Sequence, residues 1–195
     1  MYPKTFQKLI NNFSQLPSIG PRLAERLVLH LFKQKKEIID DFAKNLLALK
    51  NLKSCQRCYN LAETKYCEIC NNNNRNQKII CVVEDPLDII ALEKTKKYQG
   101  LYHVLGGTIE NEEKIKYLNV NQLIHRIKKE QTEELIIATN PTTEGDLTAF
   151  YLKEKLKSYP IKITRLARGL STGGDIEYAD EITLSSALIN RQKIK

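Results

Sequence analysis

No apolar run in this chain of 195 residues approaches the ~18 residues of a membrane span, so no spanning segment is expected. The opening Met1-Tyr2-Pro3-Lys4-Thr5-Phe6-Gln7-Lys8 does not read as a signal peptide, which leaves the cytoplasm as the expected compartment. No Gly-x₄-Gly-Lys-Ser/Thr string occurs, and an independent P-loop NTPase is not expected. Histidine is scarce: His30, His103 and His125 share no spacing that makes a catalytic or metal cluster, so each is assigned to surface or packing. Acid is scarce in one part only. Residues 1–60 hold 4 Asp+Glu against 11 Lys+Arg, whereas the remaining 135 residues hold 19 against 20. The net charge of +8 therefore sits almost wholly in the first third, as in a nucleic-acid-binding arm, although a basic surface serving solubility gives the same count.

What is present is ordinary in bulk. A hydrophobic content of 42% and a charged content of 28% describe a soluble globular protein with one sizeable core, or a core with small modules attached.

The cysteines are specific. Cys55-x₂-Cys58-x₈-Cys67-x₂-Cys70 contains two Cys-x-x-Cys knuckles, each able to bring two thiolates within ~2.3 Å of a shared ion. Soft ligands and a count of four point to one closed, structural zinc ion that staples a segment too short to bury a core. Disulfides and an iron–sulfur cluster are the rivals; the first is disfavoured by the absence of secretory features. Cys81, in Ile79-Ile80-Cys81-Val82-Val83, is expected in the core.

The amino-terminal third reads as a helical hairpin. Phe6, Leu9, Ile10 and Phe13 mark an amphipathic helix, Pro17 to Gly20 a tight turn, and Pro21 the first position of the next helix. Leu23, Leu27, Val28 and Leu31 are expected as its buried stripe. Arg22, Arg26, His30 and Lys33 follow one another at steps of four, four and three, so they share a face. A Gly-containing turn before a helix N-terminus presents backbone N–H groups to phosphate, and Arg22 and Arg26 reach phosphates without reading sequence. A helix pair used for self-association is the alternative, and the two are compatible. Residues 38–52 predict one further helix.

From Gln77 onward short β-rich runs (78–84, 100–105, 134–138 and 161–165) alternate with helical stretches (88–96, 121–129 and 144–157), which predicts a mostly parallel sheet with helices on its faces. A terminal helix is expected over 177–191, and Arg165 and Arg168 stand beside a flexible loop that could line a DNA path. The loop after the third run reads Ala138-Thr139-Asn140-Pro141-Thr142-Thr143-Glu144-Gly145-Asp146. It resembles the metal-binding loop of the Toprim domain of topoisomerases and bacterial primases, where catalytic members carry Asp-x-Asp before Glu-Gly-Glu. Here Asn140 and Thr142 occupy the two Asp positions. Holding Mg²⁺ for phosphoryl chemistry takes several converging carboxylates, and an amide and a hydroxyl replace neither charge. Glu84, in Val82-Val83-Glu84-Asp85-Pro86-Leu87-Asp88, matches the strand-end Glu that serves as general base in that pattern. Glu84, Asp88, Glu144 and Asp146 are expected on one acidic rim able to dock a basic partner; singly, each also suits a helix N-terminus.

Basic hairpin, four-cysteine knuckle, Toprim-like sheet and Gly173-Gly174-Asp175-x-Glu177-Tyr178-Ala179-Asp180-Glu181 tail occur in that order, and together they resemble the RecR family of bacterial recombination mediators along the whole chain. Further matching strings are Leu16-Pro17-x-Ile19-Gly20-Pro21, Gly100-x-Tyr102-His103-Val104-Leu105-Gly106-Gly107 and Ala167-Arg168-Gly169. The resemblance implies an α/β multi-module chain: a helix-hairpin-helix over 1–53, a four-cysteine zinc finger over 54–76, a Rossmann-like Toprim domain over 77–166, and a Walker B-like tail and helix over 167–195. It implies no catalysis, sequence-independent DNA contact through Arg22 and Arg26, and partner binding through Glu84, Asp88, Glu144 and Asp146. It also implies dimers closing into a ring tetramer, and work with RecO, and in many bacteria RecF, to replace single-strand-binding protein with RecA at gaps. One departure stands out: Thr108-Ile109-Glu110-Asn111-Glu112-Glu113-Lys114-Ile115 is acidic and lacks the family's proline there. The competing expectations are a Mg²⁺-dependent Toprim phosphotransferase of primase or nuclease type, using Glu84, Glu144 and Asp146, and a purely architectural scaffold.

Overall fold

Phe6, Ile10 and Phe13 recur at helical spacing, and the segment carrying them folds as α1 (Lys4–Ser14) in the computed structural model, which describes residues 2–193. A turn follows with Ser18 at φ 65°, and α2 (Pro21–Phe32) starts with Pro21 in its first turn, where a missing N–H costs nothing. The two helices pack through Ile10, Ala24 and Val28, flanked by Phe6, Phe13 and Ile19. The expected stripe is corrected here. Ala24 and Val28, one turn apart, form the seam because a small residue lets the backbones approach; Leu27 and Leu31 are half-buried and Leu23 is exposed. The helix expected over 38–52 is α3 (Lys36–Ala48), finished by a 3₁₀ turn at Leu49–Asn51, and it buries no residue. These elements form one unit, ending at Leu52; a second begins at Lys53.

The second unit opens with a small antiparallel pair, β1 (Lys53–Ser54) and β2 (Leu61–Ala62), then α4 (Glu68–Asn71). Next come β3 (Asn76–Val83), α5 (Pro86–Lys94), β4 (Gly100–Val104), α6 (Val120–Glu130), β5 (Glu134–Ile137), α7 (Thr143–Leu156) and β6 (Lys162–Arg165). All four long strands are parallel, in the order β4-β3-β5-β6. Alternation along β3 explains the layering: Ile80 and Val82 face a cluster with Leu123 and Ile127 of α6 and Leu152 and Leu156 of α7, while Cys81 and Val83 face Ile89 of α5 and Tyr102. Cys81 is buried as expected. The acidic 108–115 segment contributes to this core: Ile109 is buried, and its N–H donates to Thr148 Oγ1 at 2.8 Å. A 3₁₀ turn over Glu112–Tyr117, capped by Asn111, continues it. The last helix, α8 (Glu181–Ile189), begins later than the predicted Glu177. Asp180 caps it, accepting from the Thr183 N–H at 2.9 Å.

In this strand order the chain leaves β3 towards β4 and returns to β5 on the other side. The carboxyl ends of β3 and β5 therefore face a topological switch point, the usual ligand crevice of an open α/β sheet. Glu84 follows β3 there, and Asn140 to Thr142 follow β5. Among the described residues no helix is long and apolar enough to cross a membrane.

Candidate functional site

Cys55 follows β1, Cys58 lies in the turn before β2, Cys67 caps α4 and Cys70 sits inside it. All four are buried free thiols whose sulfur atoms lie within 4.8 Å of one another, with Cys58 Sγ and Cys67 Sγ at 3.5 Å. Four ligands at ~2.3 Å around a tetrahedral zinc ion stand roughly 3.8 Å apart, so the donor set fits that ion. The electrostatics agree. The hydrogen bond between Cys58 and Cys67 drives the Cys58 thiol far above its ordinary range and pulls Cys67 well below it. Sulfurs this close ionise together only around a cation. These cysteines are the residues that would hold zinc, and no open ligand position is left for chemistry at the metal.

The finger is fastened to the sheet. Val104 N–H donates to Cys58 O at 2.8 Å, and the Tyr59 ring meets His103 edge-on at 5.5 Å. Arg57, inside the first knuckle, donates to Glu130 at 2.7 Å and to Gln77 Oε1 at 2.7 Å. Glu130 also accepts from Arg126 at 2.9 Å, and Arg126 donates on to Tyr102 O at 2.6 Å. Burial favours protonating Glu130, but the Arg57 and Arg126 guanidiniums outweigh it and hold the carboxyl below its ordinary range. Burial pushes His103 down to about 4, and it is a neutral packing group as expected. Of this network only the Arg126–Glu130 spacing carried a sequence signal.

At the switch point most of the polar groups are engaged with one another. Glu84 accepts from Asn140 N–H at 2.7 Å on one oxygen and from the Asn140 side-chain amide at 2.6 Å on the other. Thr142 caps α7, its hydroxyl accepting from the Gly145 N–H at 3.1 Å. A Cβ on Gly145 would lie 2.1 Å from Asn140 O and 3.1 Å from Glu84 Oε1, so glycine is what lets the helix start pack here. Asp88 is committed to the capping box of α5, accepting from Glu84 N–H at 3.1 Å and Asp85 N–H at 2.9 Å. Glu144 is exposed in the first turn of α7. Asp146 is clasped by Arg165 at 2.5 Å and by Arg168, which hold its carboxyl below the ordinary range. The rim expected of four acids is thus realised in part: Glu84 and Asp88 stand together, while Asp146 is matched by two cations. In the first unit Arg22, Arg26, His30 and Lys33 are all exposed at the surface of α2 and its cap.

Comparison with known proteins agrees with this geometry. Residues 78–167 match the Toprim domain, 6–50 the RecR helix-hairpin-helix, 52–72 the four-cysteine zinc finger domain of RecR and 169–192 the RecR C-terminal segment. The chain is 46% identical over 196 aligned residues to the recombination protein RecR of Staphylococcus aureus (strain MRSA252), covering 99% of each. It is 45% identical over the same length, again covering 99% of each, to RecR of Staphylococcus saprophyticus subsp. saprophyticus.

Proposed function

This chain belongs to the RecR family of recombination proteins, and from that premise we propose that it acts in DNA repair as a non-catalytic, DNA-binding mediator. It grips DNA without regard to sequence through Arg22 and Arg26 on the outward face of α2. It meets RecO, and in many bacteria RecF, through Glu84, Asp88, Glu144 and Asp146, and it helps load RecA in place of single-strand-binding protein in the cytoplasm. Dimers closing into a ring hold it around duplex DNA.

One observation carries the reading. Both oxygens of Glu84, the group that a catalytic Toprim site uses as its base, accept hydrogen bonds from Asn140. The residue that supplies them stands where the first metal-holding acid of such a site stands. A divalent cation shared with Glu84 needs a second carboxylate at that position, and the amide found there offers Glu84 a donor in place of that charge. Asn140 serves instead to tie the loop after β5 to the end of β3, and Thr142 to cap the start of α7.

The test has two arms on the zinc-loaded full chain. Arg22→Ala with Arg26→Ala weakens DNA binding equally for all sequences and lowers the salt slope by about two phosphate contacts; an unchanged slope sinks the assignment. Incubation of wild type with DNA, nucleotides and Mg²⁺ or Mn²⁺ gives no cleavage or transfer. Metal-dependent turnover abolished by Glu84→Gln replaces the mediator with the phosphotransferase.

A further inference from the structure

Between the finger and α6 lies a cleft of about 890 Å³, away from the switch point and bordered on the finger side by Cys70. Arg57 and Arg126 both line it, and they share the single carboxylate of Glu130. Arg57 also faces the thiolate charge of Cys58 and Cys70, so the cation of the lining that no acid pairs among the described residues is Lys129. Arg126 is only 5% exposed, and its Nη2 has no hydrogen-bond partner among the described residues, a costly condition for a guanidinium N–H. Lys129 and His125, one turn apart on α6, line the same cleft, and Lys129 is exposed. On the finger side Tyr66 is 37% exposed, and Lys65 Nζ lies 5.3 Å from its ring centroid. Much of the remaining lining is asparagine and glutamine, and among the described residues no aliphatic side chain contributes.

We propose that this cleft binds single-stranded nucleic acid, seating a phosphate against Lys129 and the Arg57–Arg126 pair and stacking a base on Tyr66. Surplus positive charge with an unpartnered buried donor calls for an anion. The missing aliphatic wall speaks against a peptide, whose apolar anchors would find no pocket. Side-chain amides and an exposed tyrosine beside a lysine suit bases and sugar–phosphate, which pair stacking with charge. A recess of this size takes a nucleotide or two with the bases unstacked, as a single strand allows and a duplex does not. The inference rests on the reading of the chain as a DNA-binding protein, but it adds a contact in the second unit that is independent of the hairpin arginines.

Binding of oligothymidylate and of a duplex to the zinc-loaded full chain, followed by fluorescence anisotropy, tests it. Lys129→Gln and Tyr66→Ala, both at exposed positions, are each expected to weaken single-strand binding about fivefold or more and to leave duplex binding unchanged. An oligonucleotide bearing 5-iodouracil is expected to crosslink to Tyr66. Wild-type single-strand affinity in both variants overturns the cleft even if the hairpin double variant loses DNA. Loss in the cleft variants with no loss in the hairpin variant upholds the cleft and overturns the hairpin assignment instead. Crosslinks confined to the hairpin overturn it, and so does a polyglutamate peptide that outcompetes oligothymidylate at the cleft.

Discussion

Among residues 2–52 the buried apolar cluster comprises Ile10, Ala24 and Val28, whereas in the unit beginning at Lys53 one face of the sheet alone gathers thirteen buried residues. The first unit also leaves Phe32 at 73% exposure and Leu46 and Leu47 at 57% and 61%. Alternating strands sandwiched by helices bury two faces at once, while a helix hairpin buries one seam and turns its other faces outward. The second unit adds charge networks and a metal site where its core is thin. Stability concentrated in one unit and exposed surface in the other fits a chain whose sheet is a rigid base and whose hairpin is a contact element.

The largest expected effect breaks the contrast from the strong side. Structural zinc in small fingers carries roughly 10–16 kcal/mol of apparent binding free energy, so chelation or Cys58→Ser is expected to unfold residues 53–72. Hydrogen exchange should show protection lost there and kept in α1 and α2; loss in both together means that the units do not fold separately. Glu130→Gln comes next. It removes the one carboxylate that Arg57 and Arg126 share and should cost about 3 kcal/mol in denaturant unfolding. Because the folded Glu130 carboxyl lies below its ordinary range, its contribution is present above about pH 4.3 and is lost as pH falls through the folded value. The variant should therefore lack part of the wild-type acid sensitivity.

A matched pair of substitutions sharpens the contrast. Val82→Ala, in the middle of the sheet, is expected to cost about 2–3 kcal/mol, and Val28→Ala, in the hairpin seam, about 1 kcal/mol, because the thinner core collapses around the gap. Equal costs remove the distinction. The smallest effect belongs to Asp146→Asn. This half-exposed carboxylate, though held by two arginines, should contribute less than about 1 kcal/mol, and its contribution too disappears in acid. A larger loss makes the Arg165–Asp146–Arg168 clasp a structural anchor instead of a surface feature.

The metal ligands, the four long strands and most helices were legible because their signals are local: knuckle spacing, alternation, and proline at a helix start. Asn140 and Thr142 were legible as lost acids, but not as groups with work of their own. That Asn140 answers both oxygens of Glu84, 56 residues away, and that Thr142 caps α7, depends on β3 and β5 lying side by side. Leu23 was misread because periodicity names a hydrophobic stripe without saying which part of it meets a neighbour; the small Ala24 set the seam. Arg57, between Cys55 and Cys58, carries no local signal of its role. Its partner Glu130 lies 73 positions further on, beyond any spacing rule.

Family, element order and the donor chemistry of the four cysteines are written in the chain, since residue type, spacing and turn chemistry act over a few positions. Pairing of charges was settled by packing. Whether Asp146 faces solvent or Arg168, and whether the finger and α6 enclose a cleft, depends on which distant surfaces meet, because electrostatic and hydrogen-bond partners are chosen by distance in space, to which order along the backbone is blind.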